Sequence, residues 1–220
     1  MSPPRKHAAA AVSTKDAVFD SAAALFARGG FDGVSVDDIA RDAAVNKAMI
    51  YYHFADKLAL YRAVLADGLS RMGATVHAIA TTPADPSIKL DRFIEAFVRM
   101  TETRPWMPAL MLREISEGAP RLDADTMSHM RLVIGSFVAI LQEGQQSGAF
   151  RKVHPILAYE SVIGPIIINA ARERVAAQPS RKGTDFPMLV AISHDEVIAH
   201  GQETARRMLA PRAAEHQGHR

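Results

Sequence analysis

Six side chains able to meet an anion or the edge of a nucleobase fall between residues 46 and 57: Asn46, Lys47, Tyr51, Tyr52, His53 and Lys57. The lysines can neutralise phosphates. Tyr51, Tyr52 and His53 can donate hydrogen bonds to phosphate oxygens, which fixes register without choosing a sequence. Between them, Ala48 and Met49 offer apolar surface of the kind that meets thymine methyls. Ser35 and Val36, eleven residues upstream, complete the set of candidate contacts. The chemistry implied is non-covalent docking on duplex DNA. On pattern alone, the YYHF cluster at 51–54 also reads as ordinary helical core, and His53 as a surface histidine.

Such groups must be carried by an element that fits a groove. A major groove about 12 Å wide admits one α-helix, which must be apolar behind and polar in front. Val45, Ile50 and Phe54 supply the rear. Ahead of this helix, Val18, Ala22, Leu25 and Phe26 form one stripe that Gly29-Gly30 would end. Ser35 is a good N-cap for a second helix, with Asp37 and Asp38 suited to its first turn. Val36, Ile39, Ala40 and Ala43 give that helix a buried face, and Asn46 can cap the third. Two short helices joined by a tight break and braced by another make a helix-turn-helix, whose second helix enters the groove. Asp37, Asp38 and Asp42 would repel a phosphate backbone and are expected to face away from it.

Beyond Asp56, a cap for a fourth helix, Leu58, Tyr61, Leu65, Leu69, Met72, Val76 and Ile79 keep helical spacing until Pro83 and Pro86. Further helices are expected near 87–103, 108–117, 124–146, 155–177 and 194–209, with a loop at 178–192 and a kink or break at Pro165. The expectation is an all-α chain of about nine helices. A flexible tail at 1–12 precedes a three-helix DNA-binding domain at 13–57. A larger helical bundle spans 58–210, followed by a flexible tail at 211–220.

Composition narrows the alternatives. The 220 residues are 48% hydrophobic and 23% charged with a net charge of +2, ordinary for a globular protein. That mild charge alone would not suggest nucleic acid; position carries the argument. No apolar run is long enough to span a membrane, and the N-terminus lacks the apolar core of a signal peptide. Without cysteine there is no disulfide framework and no thiolate metal site. No catalytic or phosphate-cradling motif occurs. His194 and His200 are six residues apart, on different helix faces. No enzyme, cofactor or metal is therefore expected, and the cytoplasm is the expected location.

Residues 14–65 closely resemble the N-terminal domain of the TetR family of transcriptional regulators. The resemblance rests on the Ala22–Leu25–Phe26 stripe, Gly30-Phe31, SVDDIA at 35–40, Val45, Lys47, YYHF at 51–54 and Lys57. It implies a homodimeric regulator, a recognition helix at about 46–52, and phosphate contacts from Tyr51, Tyr52, His53 and Lys57. It also implies a C-terminal half that binds a small effector. The family usually has glycine in the turn where this chain has Ala44, which costs on the order of 1 kcal/mol if left-handed. Ala48 and Met49 also depart from the usual residues, so the operator cannot be borrowed from relatives.

The body carries fainter signals. Phe97, Met100, Trp106, Met107, Met111, Met130, Ile134 and Phe137 are candidates for the wall of an apolar effector pocket, or equally for plain core. Arg113, Glu114 and His129 could anchor a polar group. Ala158, Val162, Ile166 and Ala170 on one helix, with Val197, Gly201, Ala205 and Met208 on another, could form a four-helix dimer seam. The expected partners are therefore operator DNA, a second copy of the chain and a small effector. The competing expectation is a helical small-molecule carrier whose head merely packs.

Overall fold

A computed structural model of the chain describes residues 13–176 and 191–211. The expected tails, and all but the end of the expected loop at 178–192, lie outside the described residues. Among the described residues there are nine helices and no strand. They are α1 (Thr14–Gly29), α2 (Val36–Asp42), α3 (Lys47–His53), α4 (Lys57–Thr81), α5 (Pro86–Thr103), α6 (Met107–Ser116), α7 (Ala124–Gln146), α8 (Pro155–Ala176) and α9 (His194–Leu209). Two compact units result, one ending at Val64 and the other beginning at Leu65, so the division falls inside α4.

In the first unit, local chemistry sets each helix end. The Ser13 hydroxyl accepts from the Asp16 N–H, and α1 closes at Gly30 with φ of 71°. Gly33 cannot be replaced without movement, because a Cβ there would sit 2.4 Å from the Gly29 carbonyl oxygen. Ser35 and Asp38 form a reciprocal capping box on α2. The turn before α3 passes through Ala44 at φ 53°, the left-handed conformation that the missing glycine would have eased. The Asn46 side chain then accepts from the Ala48 N–H at 2.9 Å, starting α3. Behind these turns lies an aromatic core. Tyr61, fully buried, meets Phe26 edge-on at 5.0 Å and Phe31 at 5.2 Å.

The second unit is built around α5, which packs against α7, α8 and α9. Phe93 and Phe97 of α5 join Phe137, Ile140 and Leu141 of α7, Ile163 and Ile166 of α8, and Ile198 of α9 in one core. Lys89 is buried on α5 and ion-paired to Glu143 of α7 at 2.6 Å. α8 runs on through Pro165 rather than breaking there.

Candidate nucleic-acid interface and apolar cavity

α3 has the two-faced character its task would need. Ile50 is 1% exposed behind it, while Met49, Tyr51 and Tyr52 are 36%, 47% and 79% exposed in front. Asn46, Lys47 and Ala48 are exposed beside them, and His53 is half-buried with its ring edge-on to Tyr52 at 5.0 Å. The YYHF cluster is therefore divided. Its two tyrosines stand in solvent and Phe54 closes the core.

Four of the positions are already engaged within the chain. Ser35 commits its hydroxyl to Asp38 at 2.6 Å, and Val36 turns its side chain inward, because both residues build the start of α2. Lys47 is ion-paired to Asp37 at 2.9 Å, so Asp37 stands beside a candidate contact instead of facing away. That hydrogen bond raises the Lys47 pKa above the usual lysine value. Lys57 donates to the carbonyl oxygens of Phe31 and Val34, both at 3.0 Å, and its ammonium lies 4.2 Å from the Phe31 ring centre. It braces the α1–α2 loop, with a third ammonium hydrogen left over.

In the second unit, a cavity of about 310 Å³ opens between α4, α5, α6, α7 and α8. Six of the eight expected residues line it: Phe97, Met100, Met107, Met111, Met130 and Ile134. The other two do not. Trp106 caps α6, and Phe137 is consumed by the core between Phe93 at 5.3 Å and Tyr159 at 5.5 Å. Gly68, Met72, Tyr159, Ile163 and Ile167 also line the cavity, beyond the expected set. Gly68 has a clear role: a Cβ there would meet the Met107 sulfur at 2.7 Å, so glycine lets α6 approach α4.

None of the proposed polar anchors reaches this space. Glu114 is fully buried and paired with Arg121 at 3.1 Å, and His129 lies 3.8 Å from Asp125. Arg113 is not among the lining residues. The polar groups present are those of Tyr159 and the exposed Glu160.

The residues expected at a seam on α8 and α9 lie partly in the core and partly in a groove between the two helices. Ala158 and Ala170 are buried in the chain's own unit. Val162, Ile166, Val197, Gly201, Ala205 and Met208 form the floor of a groove between the two helices. Gly201 serves the chain's own packing, since a Cβ there would meet Ile94 at 3.1 Å. The exposed groups flanking this floor are Ser161, Pro165, Ile192, Glu196, His200 and Thr204. Leu157 and Ile168, 62% and 64% exposed, continue the outer face of α8.

Residues 18–64 match the model of the "Bacterial regulatory proteins, tetR family". That segment of the chain is therefore similar to the DNA-binding head of the TetR family. Within that family it is 45% identical over 47 residues to the negative transcriptional regulator IcaR of a Staphylococcus aureus biofilm operon. That stretch is 21% of this chain and 25% of the relative, so the curated relatives are matched over only about a quarter of their length. The TetR-family protein PfmR of Thermus thermophilus superposes with a TM-score of 0.70 at 25% identity, covering 88% of this chain and 99% of that one. The ketosteroid regulator KstR2 of Mycobacterium tuberculosis gives 0.73 at 19% identity, covering 94% and 100%. The fold of the TetR-family body is thus shared well beyond the segment whose sequence matches.

Proposed function

We propose that the protein is a ligand-responsive, homodimeric DNA-binding transcriptional regulator, acting as a repressor. The observation that carries this reading is α3 within a TetR-family head: a short capped helix with its apolar rear buried and its tyrosines in solvent. Lys47, Tyr51, Tyr52, His53 and the third donor of Lys57 hold the DNA backbone. Asn46, Ala48 and Met49 face the bases and choose the sequence. Two copies meet along α8 and α9, and their heads engage successive major grooves of a near-palindromic site, about 34–36 Å apart or somewhat more. A chromosomal target places the protein in the cytoplasm.

The apolar cavity holds the effector. Gly68 and Met72 bring α4 into its wall, so an occupant favours one tilt of that helix over another and releases the DNA. A preference of about 3 kcal/mol between the two states weakens DNA binding roughly a hundredfold.

The test is a titration of the purified protein against its own upstream DNA at several salt concentrations. A steep salt slope and about twice the 23.9 kDa chain mass on sedimentation support the reading. A salt-independent affinity or a monomer defeats it. The cavity equally suits a carrier, which would take up apolar ligands and retain no DNA.

A further inference from the structure

The cavity has a chemical bias that goes beyond its being apolar. Five methionines line it: Met72, Met100, Met107, Met111 and Met130. These supply soft, adaptable walls that tolerate ligands of varied shape. Among the lining residues there is no lysine, arginine or histidine, and the one carboxylate, Glu160, is exposed. An anion carried into such a space loses its water and gains no counter-charge, and a cation meets only the solvent-screened Glu160, which is costly for either.

One polar side chain of the lining, Tyr159, is half-buried. The Tyr159 hydroxyl finds no hydrogen-bond partner among the described residues. Its ring is held edge-on by Phe137 at 5.5 Å and Phe97 at 6.4 Å, which fixes the direction of the C–O bond. Burial raises its pKa to about 12, so near neutral pH the phenol keeps its hydrogen and can donate it.

We infer that the cavity selects a neutral ligand bearing one carbonyl group, whose oxygen accepts the Tyr159 hydroxyl, and discriminates against carboxylates and amines of the same length. A carbonyl is favoured over an alcohol by donor counting. An alcohol brings its own hydrogen, so a single pair of hydroxyls leaves one hydrogen without an acceptor; a carbonyl leaves none. At roughly 30 Å³ per water-sized group, a cavity of about 310 Å³ holds on the order of ten heavy atoms. The inference rests on the cavity being the effector site.

Titration calorimetry on the full chain at pH 7.5 with 2-nonanone, nonanoate and nonylamine tests it. The ketone is expected to bind about tenfold or more tightly than either ion. Tyr159→Phe should weaken ketone binding about five- to tenfold, the upper range for one neutral hydrogen bond. If either ion binds as well as the ketone, the inference falls while the cavity remains a ligand site. An unchanged ketone affinity in a folded Tyr159→Phe protein also overturns it, and the three-probe comparison decides even if that variant does not fold. If none of the probes binds, the effector-site reading fails with it, whereas DNA binding is judged separately by the salt titration.

Discussion

Replacing Lys57 by methionine separates its two possible tasks. The substitution keeps the aliphatic stem but removes an ammonium that donates to the Phe31 and Val34 carbonyls and lies over the Phe31 ring. A hydrogen bond from a charged donor contributes about 1.5–3 kcal/mol at best, and Lys57 is half-buried, so about 1 kcal/mol for each is reasonable. The cation–π contact adds about 0.5 kcal/mol at a partly wet site. Together the loop linking α1 to α2 should lose roughly 2.5 kcal/mol, which corresponds to about seventyfold faster local opening. Hydrogen exchange of the amides between residues 29 and 36 in the full chain reads this directly. DNA affinity should fall as well, but the salt slope should lose no more than about one unit per head. Unchanged exchange across that loop, with the whole effect appearing in the salt slope, would refute the bracing argument and leave Lys57 as a simple phosphate contact.

Asp37→Asn frees Lys47 from its ion pair and removes a negative charge beside the docking face. Binding to duplex DNA should tighten about two- to fivefold by fluorescence anisotropy, the scale of one exposed pair; weaker binding would mean that Asp37 positions Lys47 productively. Ala44→Gly relieves the left-handed alanine, and should stabilise the head by about 0.5 kcal/mol after the greater unfolded-state entropy of glycine is subtracted. A clear loss of stability in denaturant titrations would count against that. Serine hydroxyls hold the Asp38 and Glu196 carboxyls below their ordinary values of 3.8 and 4.5. Groups depressed in the folded state stabilise it above those values and lose the contribution as pH falls through the lowered ones. Both caps should therefore be intact at pH 6 and fail below about pH 4. Asp38→Asn and Glu196→Gln should each flatten the acid limb of the stability curve, and an unaltered limb would dismiss the caps as its cause.

The elements that could be read from sequence are those fixed by neighbours in the chain. The stop at Gly29-Gly30, the caps at Ser35 and Asn46, and the helix over 124–146 all arise from interactions spanning a few residues. The left-handed Ala44 was legible only through the family resemblance, as an alanine where relatives usually have a turn glycine. The cavity was legible only in part. Periodicity shows which face of a helix is apolar but not which neighbour covers it, so Phe137 and Trp106 were indistinguishable from Met107 and Met130. Tyr159 carries no such signal, because it lies off the apolar stripe Ala158, Val162, Ile166 and Ala170 that dominates α8. The partners of Lys57 could not be read at all. Backbone carbonyls 26 and 23 residues upstream carry no side-chain signature.

The two lysines among the candidate contacts, Lys47 and Lys57, are both engaged before any DNA arrives, and this bears on how the head would discriminate between sites. Lys47 must exchange Asp37 for a phosphate, and Lys57 can offer only the donor left over from its carbonyls. An exchange of one anion for another yields less than the capture of a phosphate by an unengaged cation. The sequence-independent electrostatic term is therefore smaller than a count of lysines suggests. Tyr51, Tyr52 and Met49, by contrast, stand exposed with little to give up on docking. Their contacts require the helix to sit at full depth in the groove, which a mismatched site would resist. Under the proposed docking, restraining the lysines would lower affinity for DNA in general more than for a well-fitted operator, widening the ratio between the two on which a regulator depends.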